Sequence, residues 1–226
     1  MVVYQTLNMS TLDYILKKFD LKITENPLIE IPNVGRNDLP KWLRELDFKT
    51  GVEVGVATGK YSEIICIENP QMKVYGVDPW EGSVDYKNHI RKEDFNKLYT
   101  EAKERMAQYP NYEIIRETSE EALKRFDDES LDFVYLDANH EEPYISQDIA
   151  GWDRKLKPGG ILAGHDYIRP GSARRSSEDA KEHWDVIAAV NKYIKKKGIN
   201  PWFLIGLNAK ILGMIRDNTR SWMWIK

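Results

Sequence analysis

Residues 51–59 read GVEVGVATG, and residues 73–78 read KVYGVD. Each is a short apolar run closed by a special residue: a glycine turn opening a helix-patterned segment in the first, a lone carboxylate, Asp78, in the second. Parallel α/β sheets are built from such near-continuous apolar strands and bind ligands beyond their carboxyl ends. The two runs therefore predict neighbouring strands that set a glycine loop beside a hydroxyl-seeking acid. That is the layout of a nucleoside-binding edge.

Glycine spacing narrows the nucleoside. A dinucleotide loop needs G-x-G-x-x-G so that the backbone can close on a pyrophosphate at a helix N-terminus, but Gly55 and Gly59 have no glycine between them. A Walker loop fails as well, because Lys60 is followed by Tyr61 and not by Ser or Thr. Phosphate cradling is thus poorly supported, and an NAD-dependent oxidoreductase is disfavoured. Asp78 follows Gly55 by 23 positions, close to the roughly 20-residue offset at which an acid accepts hydrogen bonds from a ribose diol. Two plainer readings stand beside this one. Asp78-Pro79 also suits a turn, and Trp80 either walls the nucleoside pocket or simply packs.

The chain has 226 residues, 42% of them hydrophobic, which suits one α/β core and excludes disordered and fibrous classes. No apolar run approaches the roughly 18–20 residues of a membrane span, and the first residues lack a secretory pattern. Cys66 is the only cysteine, which excludes intramolecular disulfides and cysteine-rich zinc sites. A cytoplasmic location is the simplest expectation. The net charge of −3 and the short basic clusters at Arg174-Arg175 and Lys195–Lys197 predict solvated surface and a helix terminus, with no nucleic-acid or membrane partner.

Apolar runs alternate with helix-patterned segments, the signature of a doubly wound, mostly parallel sheet. Seven strands are predicted at Val52–Gly55, Lys73–Val77, Tyr112–Arg116, Leu131–Leu136, Gly160–Gly164, Trp202–Ile205 and Trp222–Ile225. Helices are expected at Ser10–Phe19, Lys41–Leu46, Lys60–Ile67, Glu93–Gln108, Ser119–Phe126, Tyr144–Lys155 and His183–Lys197. Residues 1–46 read as a helical N-terminal extension with an irregular proline-containing stretch, and residues 47–226 as the main domain. The polar segment Arg169–Glu182 leaves the fifth strand and is expected to form a flap. After the third strand, Thr118 and Ser119 precede Glu120 and Glu121, a helix N-cap pattern.

Glu53-Val54-Gly55-Val56-Ala57-Thr58-Gly59 resembles the first motif of class I S-adenosylmethionine-dependent methyltransferases. The run LDFVYLDANHEEPYISQDIAGWDRKLKPGGILAGHDY, Leu131–Tyr167, is similar to their O-methyltransferases. It looks most like the catechol O-methyltransferase-like branch that includes antibiotic-sugar O-methyltransferases. The resemblance extends from about Gly51 to the final strand. It implies a Rossmann-like core with the last strand antiparallel beside the fifth, and S-adenosyl-L-methionine as methyl donor. It further implies donor contacts from Glu53, Gly55, Gly59, Asp78, Trp80, Thr118 and Ser119. The acceptor it implies is a hydroxyl of a sugar, a glycosylated natural product or another small molecule. An N-methyltransferase and a non-catalytic nucleoside-binding module on the same fold remain alternatives, and a homo-oligomer is compatible with the chain.

Residue chemistry supports the second half of that picture. Asp137 ends the fourth strand and Asp166 the fifth, and adjacent strands lie about 4.8 Å apart. Two carboxylates brought so close ionise together when a divalent ion such as Mg²⁺ lies between them. His165 precedes Asp166 where metal-dependent relatives often carry a second acid, so metal binding by Asp137, Asp166 and His165 stands against plain hydrogen bonding by the two acids. His140, three residues past Asp137 in D-A-N-H, is the candidate catalytic base, with His165 as its rival. Asp137 completes the catalytic pair.

Overall fold

The computed structural model describes residues 9–81, 92–167, 177–207 and 220–226. Eight strands form one sheet: β1 (Leu28–Pro32), β2 (Thr50–Val54), β3 (Lys73–Val77), β4 (Tyr112–Ile115), β5 (Leu131–Leu136), β6 (Leu156–Gly164), β7 (Trp202–Leu207) and β8 (Ser221–Ile225). Their spatial order is β1-β7-β8-β6-β5-β2-β3-β4. β8 runs antiparallel to both its neighbours, β6 and β7, and every other pairing is parallel. The expected antiparallel last strand is therefore present, lying beside β6, the fifth of the expected strands.

Side-chain alternation divides the core into two layers. On β5, Val134 and Leu136 face one side with Val52 and Val54 of β2, while Phe133 and Tyr135 face the other. The first layer is covered by α5 (Ser119–Ala122), α6 (Tyr144–Lys155) and α7 (Ser177–Lys197), which contribute Ala122, Ile145, Ile149, Trp152, Val186 and Val190. The second is covered by α1 (Thr11–Lys18), α2 (Leu39–Glu45), α3 (Lys60–Glu68) and α4 (Lys92–Met106), through residues including Ile15, Leu39, Trp42, Ile65 and Met106. Each fully buried aliphatic side chain is worth about 1.5–3 kcal/mol relative to exposure. Among the described residues, helices cover both faces of the sheet, and the predicted site residues gather at the strand ends.

Three expectations need correction. There are eight strands and not seven, because Leu28–Pro32 adds to the sheet edge, pairing Leu28 with Trp202 and Ile29 with Phe203. A five-residue strand ending in proline is allowed only at an edge, and its prolines hid it among irregular residues. The N-terminal segment is accordingly not purely helical. It is also tied to the core: Thr11 Oγ1 donates to the Gly159 carbonyl at 2.6 Å, and Gly206 N–H donates to the Val34 carbonyl at 2.7 Å. Finally, α7 starts at Ser177, so the end of the expected flap is helical; residues 168–176 lie outside the described residues. Among the described residues, no helix is long and apolar enough to cross a membrane.

Candidate functional site

The first residue past each central strand is carried on the sheet's own hydrogen-bond ladder. Gly55 N–H donates to Val77 O at 2.8 Å, Asp137 N–H to Val54 O at 2.8 Å, His165 N–H to Leu136 O at 3.0 Å and Asp78 N–H to Ile115 O at 3.2 Å. Four predicted site residues thus sit in a row along the carboxyl edge. Gly55 has φ +92°, and a Cβ there would lie 2.1 Å from the Asp137 carbonyl oxygen and 2.7 Å from Ala138 N. Only glycine lets the loop after β2 cross so close to the loop after β5. The glycine loop and the D-A-N-H loop are therefore in backbone contact.

The glycine loop is clamped from three sides. Asp78 Oδ2 accepts from the amides of Val56 and Ala57, both at 3.0 Å, and its Oδ1 accepts from Trp80 N–H at 2.7 Å. Trp80 Nε1 donates to the Ala57 carbonyl at 2.8 Å, and Arg105 Nε, from α4, donates to the Thr58 carbonyl at 2.9 Å. Ala57 and Trp80 both adopt positive φ, 49° and 46°, a conformation that costs a non-glycine residue about 1–3 kcal/mol and persists only where surroundings enforce it. The turn reading of Asp78 is correct as far as it goes. Three of the roughly four acceptor positions of its carboxylate are taken by its own chain.

Trp80 is 2% exposed and packs with Val56, Ala102 and Tyr99, whose ring centroid lies 5.0 Å away. The packing reading of this indole is realised, and its polar atom serves the loop. Glu53 projects beneath the loop into the α3 layer, where it accepts from Ser62 Oγ; Ser62 in turn lies 2.8 Å from the Tyr112 hydroxyl. That hydroxyl fills the space a side chain at Gly76 would need, 1.6 Å from a Cβ built there. Burial pushes the Glu53 carboxyl up to about 8. It is a proton-bearing buttress under the loop.

Thr118 and Ser119 divide their work. Thr118 caps α5 as expected, its Oγ1 accepting from Glu121 N–H at 3.3 Å. Ser119 Oγ donates to Asp148 Oδ1 at 2.5 Å and accepts from Trp152 Nε1 at 2.8 Å, so its hydroxyl is engaged by α6. Burial drives Asp148 up to about 7. Nothing in the sequence singled out Asp148, because on a helix its spacing from Trp152 marks only a buried face.

Across Gly55 lies the charged cluster. His140 Nδ1 is 3.2 Å from Asp166 Oδ2, and its Nε2 faces Asp137 Oδ1 at 3.5 Å, buried and without a hydrogen-bond partner. His165 Nδ1 lies 3.3 Å from Asp166 Oδ1 and 3.6 Å from Asp137 Oδ1. Asp166 adopts φ +59°, which turns it back toward Asp137 instead of away across the pleat. Asp137, His140 and Asp166 offer ligand atoms all within 4.8 Å of one another. His140, expected only as a base, joins the two acids in that group, and His165 lies beside it. Burial raises the Asp137 pKa, but His140, His165 and Arg36 overcome it and hold the carboxyl below its ordinary value. For His140, burial acts downward and the facing Asp137, with the Asp166 charge, outweighs it, so its pKa stands above the usual imidazole range.

Arg36 is the residue sequence reasoning missed. It sits in the 3₁₀ turn Arg36–Asp38 after β1, and its Nη1 meets Asp137 Oδ2 at 3.0 Å across 101 residues of chain.

Residues 52–167 match a family model described as a methyltransferase domain, about half of the chain. The chain belongs to this methyltransferase family. The match begins inside β2 and ends just past Asp166, so it covers the loop, Asp78 and the whole acidic and histidine cluster except Arg36. A curated relative, the uncharacterized protein y4gI of Sinorhizobium fredii (strain NBRC 101917 / NGR234), is 21% identical over 141 residues. That alignment takes in 62% of this chain but only 14% of the relative. A Staphylococcus aureus protein provisionally named as a caffeoyl-CoA O-methyltransferase superposes with TM-score 0.60 at 17% identity, covering 99% of this chain and 96% of that one. The O-methyltransferase TomG of Streptomyces achromogenes, solved with S-adenosylmethionine, gives 0.57 at 14% identity over 99% and 92%. The Bacillus cereus O-methyltransferase, solved with S-adenosylhomocysteine, gives 0.54 at 14% over 99% and 94%. At these identities the shared property is the fold.

Proposed function

We propose that this methyltransferase moves the methyl group of S-adenosylmethionine to a hydroxyl oxygen of a small molecule, with a sugar, a glycosylated natural product or another polyol as the acceptor class. The observation that carries the reading is the junction at Gly55, where a fully clamped glycine loop abuts a cluster holding a buried imidazole nitrogen without a partner. Donor and base sites are thereby held on adjacent rigid strand ends, and positioning is the main source of acceleration in such a transfer.

When bound, S-adenosylmethionine supplies an electrophilic methyl on sulfur. The residues' part is to hold and deprotonate the acceptor. Asp166 accepts from His140 Nδ1–H, which leaves Nε2 as the lone-pair acceptor for the hydroxyl proton; the resulting imidazolium lies between two carboxylates that stabilise it. Asp137 and Asp166, with His140, also fit a divalent ion by donor type and spacing, and such an ion would lower the pKa of an acceptor hydroxyl. Asp78 and the amides around it order the ribose side of the site, and the backbone at Thr118 and Ser119 borders the base. The direct test is transfer of labelled methyl from S-adenosylmethionine to a panel of hydroxylated small molecules, each run with Mg²⁺ and with chelator. Turnover of a polyol supports the proposal. Labelling only of amines, or donor binding with no turnover, overturns it.

A further inference from the structure

We infer that Arg36 is a tethered cation that sets how tightly the Asp137–His140–Asp166 cluster holds a divalent ion. The inference rests on reading that cluster as a cation site; it is independent of the acceptor. Arg36 lies outside the matched methyltransferase region, residues 52–167, so the N-terminal segment here contributes directly to the electrostatics of the site.

Arg36 is held at its backbone and at its guanidinium. Tyr61 OH donates to the Arg36 carbonyl at 2.9 Å, the Tyr61 ring lies 5.4 Å beneath the guanidinium, and Nη1 meets Asp137 Oδ2 at 3.0 Å. The turn that carries it is closed by Gly35 N–H donating to Asp38 Oδ2 at 3.0 Å and tied to β7 through Val34. Little conformational freedom remains to be lost when the ion pair forms, which distinguishes it from an exposed surface pair.

Asp137 divides its two oxygens. Oδ2 faces Arg36, whereas Oδ1 faces the imidazoles of His140 and His165. With neutral imidazoles, Asp137 and Asp166 carry two negative charges and Arg36 one positive, leaving a net charge of −1. A divalent ion would neutralise the bare pair of acids, but with Arg36 present it overshoots to +1. Arginine cannot relieve that repulsion by losing its proton. Across a few ångströms of partly buried space, repulsion between a fixed unit charge and a divalent ion is only weakly screened by salt. Arg36 therefore holds Asp137 in place through its Oδ2 and weakens metal binding at the same site.

Mn²⁺ is a suitable probe, with bound and free ion separated by electron paramagnetic resonance in full-length protein. Arg36→Met should tighten Mn²⁺ binding tenfold or more, and Arg36→Lys, which keeps the charge, should stay within about threefold of the wild type. Adding Asp137→Asn to Arg36→Met should abolish the gain. Arg36→Gln serves as the second neutral variant, with circular dichroism confirming the fold in each. Unchanged or weaker Mn²⁺ binding in the folded neutral variants overturns the inference, as does the absence of binding in every variant. S-adenosylhomocysteine affinity, measured on the same samples, reports separately on the methyltransferase reading: its loss in all proteins would sink that reading and leave the Mn²⁺ comparison standing.

Discussion

The glycine loop and the charged cluster are separated by one backbone contact at Gly55, yet they are held by different physics. In the loop, donors and acceptors are paired off within the protein: Asp78 takes three amides, and Trp80 and Arg105 take two carbonyls. In the cluster, five ionisable side chains crowd together and one imidazole nitrogen is left over. A satisfied network gives rigidity, and an unsatisfied one gives reactivity. Changes in the loop should therefore register in stability and donor affinity, and changes in the cluster in rate.

The sharpest way to break this contrast is His140→Ala. Loss of the proposed proton acceptor should lower kcat/KM by about 10²–10⁴-fold, while S-adenosylhomocysteine affinity stays within about twofold. Because the acids around His140 hold its pKa above the ordinary imidazole value, the wild-type rate should rise with pH through a limb lying above about 6.5. That limb should disappear in the variant. An unchanged limb in a pH profile of kcat/KM would move the base to another residue, His165 first.

A second effect belongs to the loop's foundation. Glu53 keeps its proton in the folded state up to about 8, against 4.5 ordinarily, and burial is the largest cause. Asp148 behaves alike, up to about 7 from 3.8. Both folded pKa values are raised, so the folded protein binds more protons than the unfolded chain, and the stability these groups contribute is lost as pH rises through the folded values. Unfolding free energy from urea titrations should fall by on the order of 6 kcal/mol between pH 5 and 8. Between pH 7 and 8 the larger share of the two acids' slope belongs to Glu53, because Asp148 is already half ionised at pH 7. Glu53→Gln should make that last interval markedly shallower, and a slope unchanged from the wild type would assign the titration elsewhere.

The loop was legible in sequence because its signals are local. Gly55, Gly59 and Asp78 stand at fixed offsets from strand ends, and strand ends are read from apolar runs. The D-A-N-H run was legible for the same reason, and so was the convergence of Asp137 with Asp166. What the sequence did not disclose is pairing over distance. Arg36 reaches Asp137 through β1, an edge strand whose short run between prolines imitates a loop, and Ser119 is claimed by Asp148, 29 residues on. Trp80 could be read as a pocket wall because its burial depends on Tyr99 and Ala102 of α4, which no spacing rule connects to it. The three loop amides that Asp78 holds were likewise invisible in the spacing.

The smallest effect tests the contrast most finely. Trp80→Phe keeps an aromatic ring against Tyr99 and Val56 and removes only the Nε1–H bond to the Ala57 carbonyl. Ala57 is exposed, so its carbonyl can turn to water, and the net loss should be about 0.5–1.5 kcal/mol. The side chain also shrinks, which adds a small packing penalty of the same sign. Part of this falls on the loop in its binding conformation, since Ala57 and Trp80 both sit at positive φ and need mutual support to stay there. Calorimetry should show S-adenosylhomocysteine affinity weakened a few-fold, with the rate at saturating donor and acceptor unchanged. A variant that binds the donor as before but turns over slowly would mean that the loop and the cluster act as one unit, and that their separation at Gly55 is only structural.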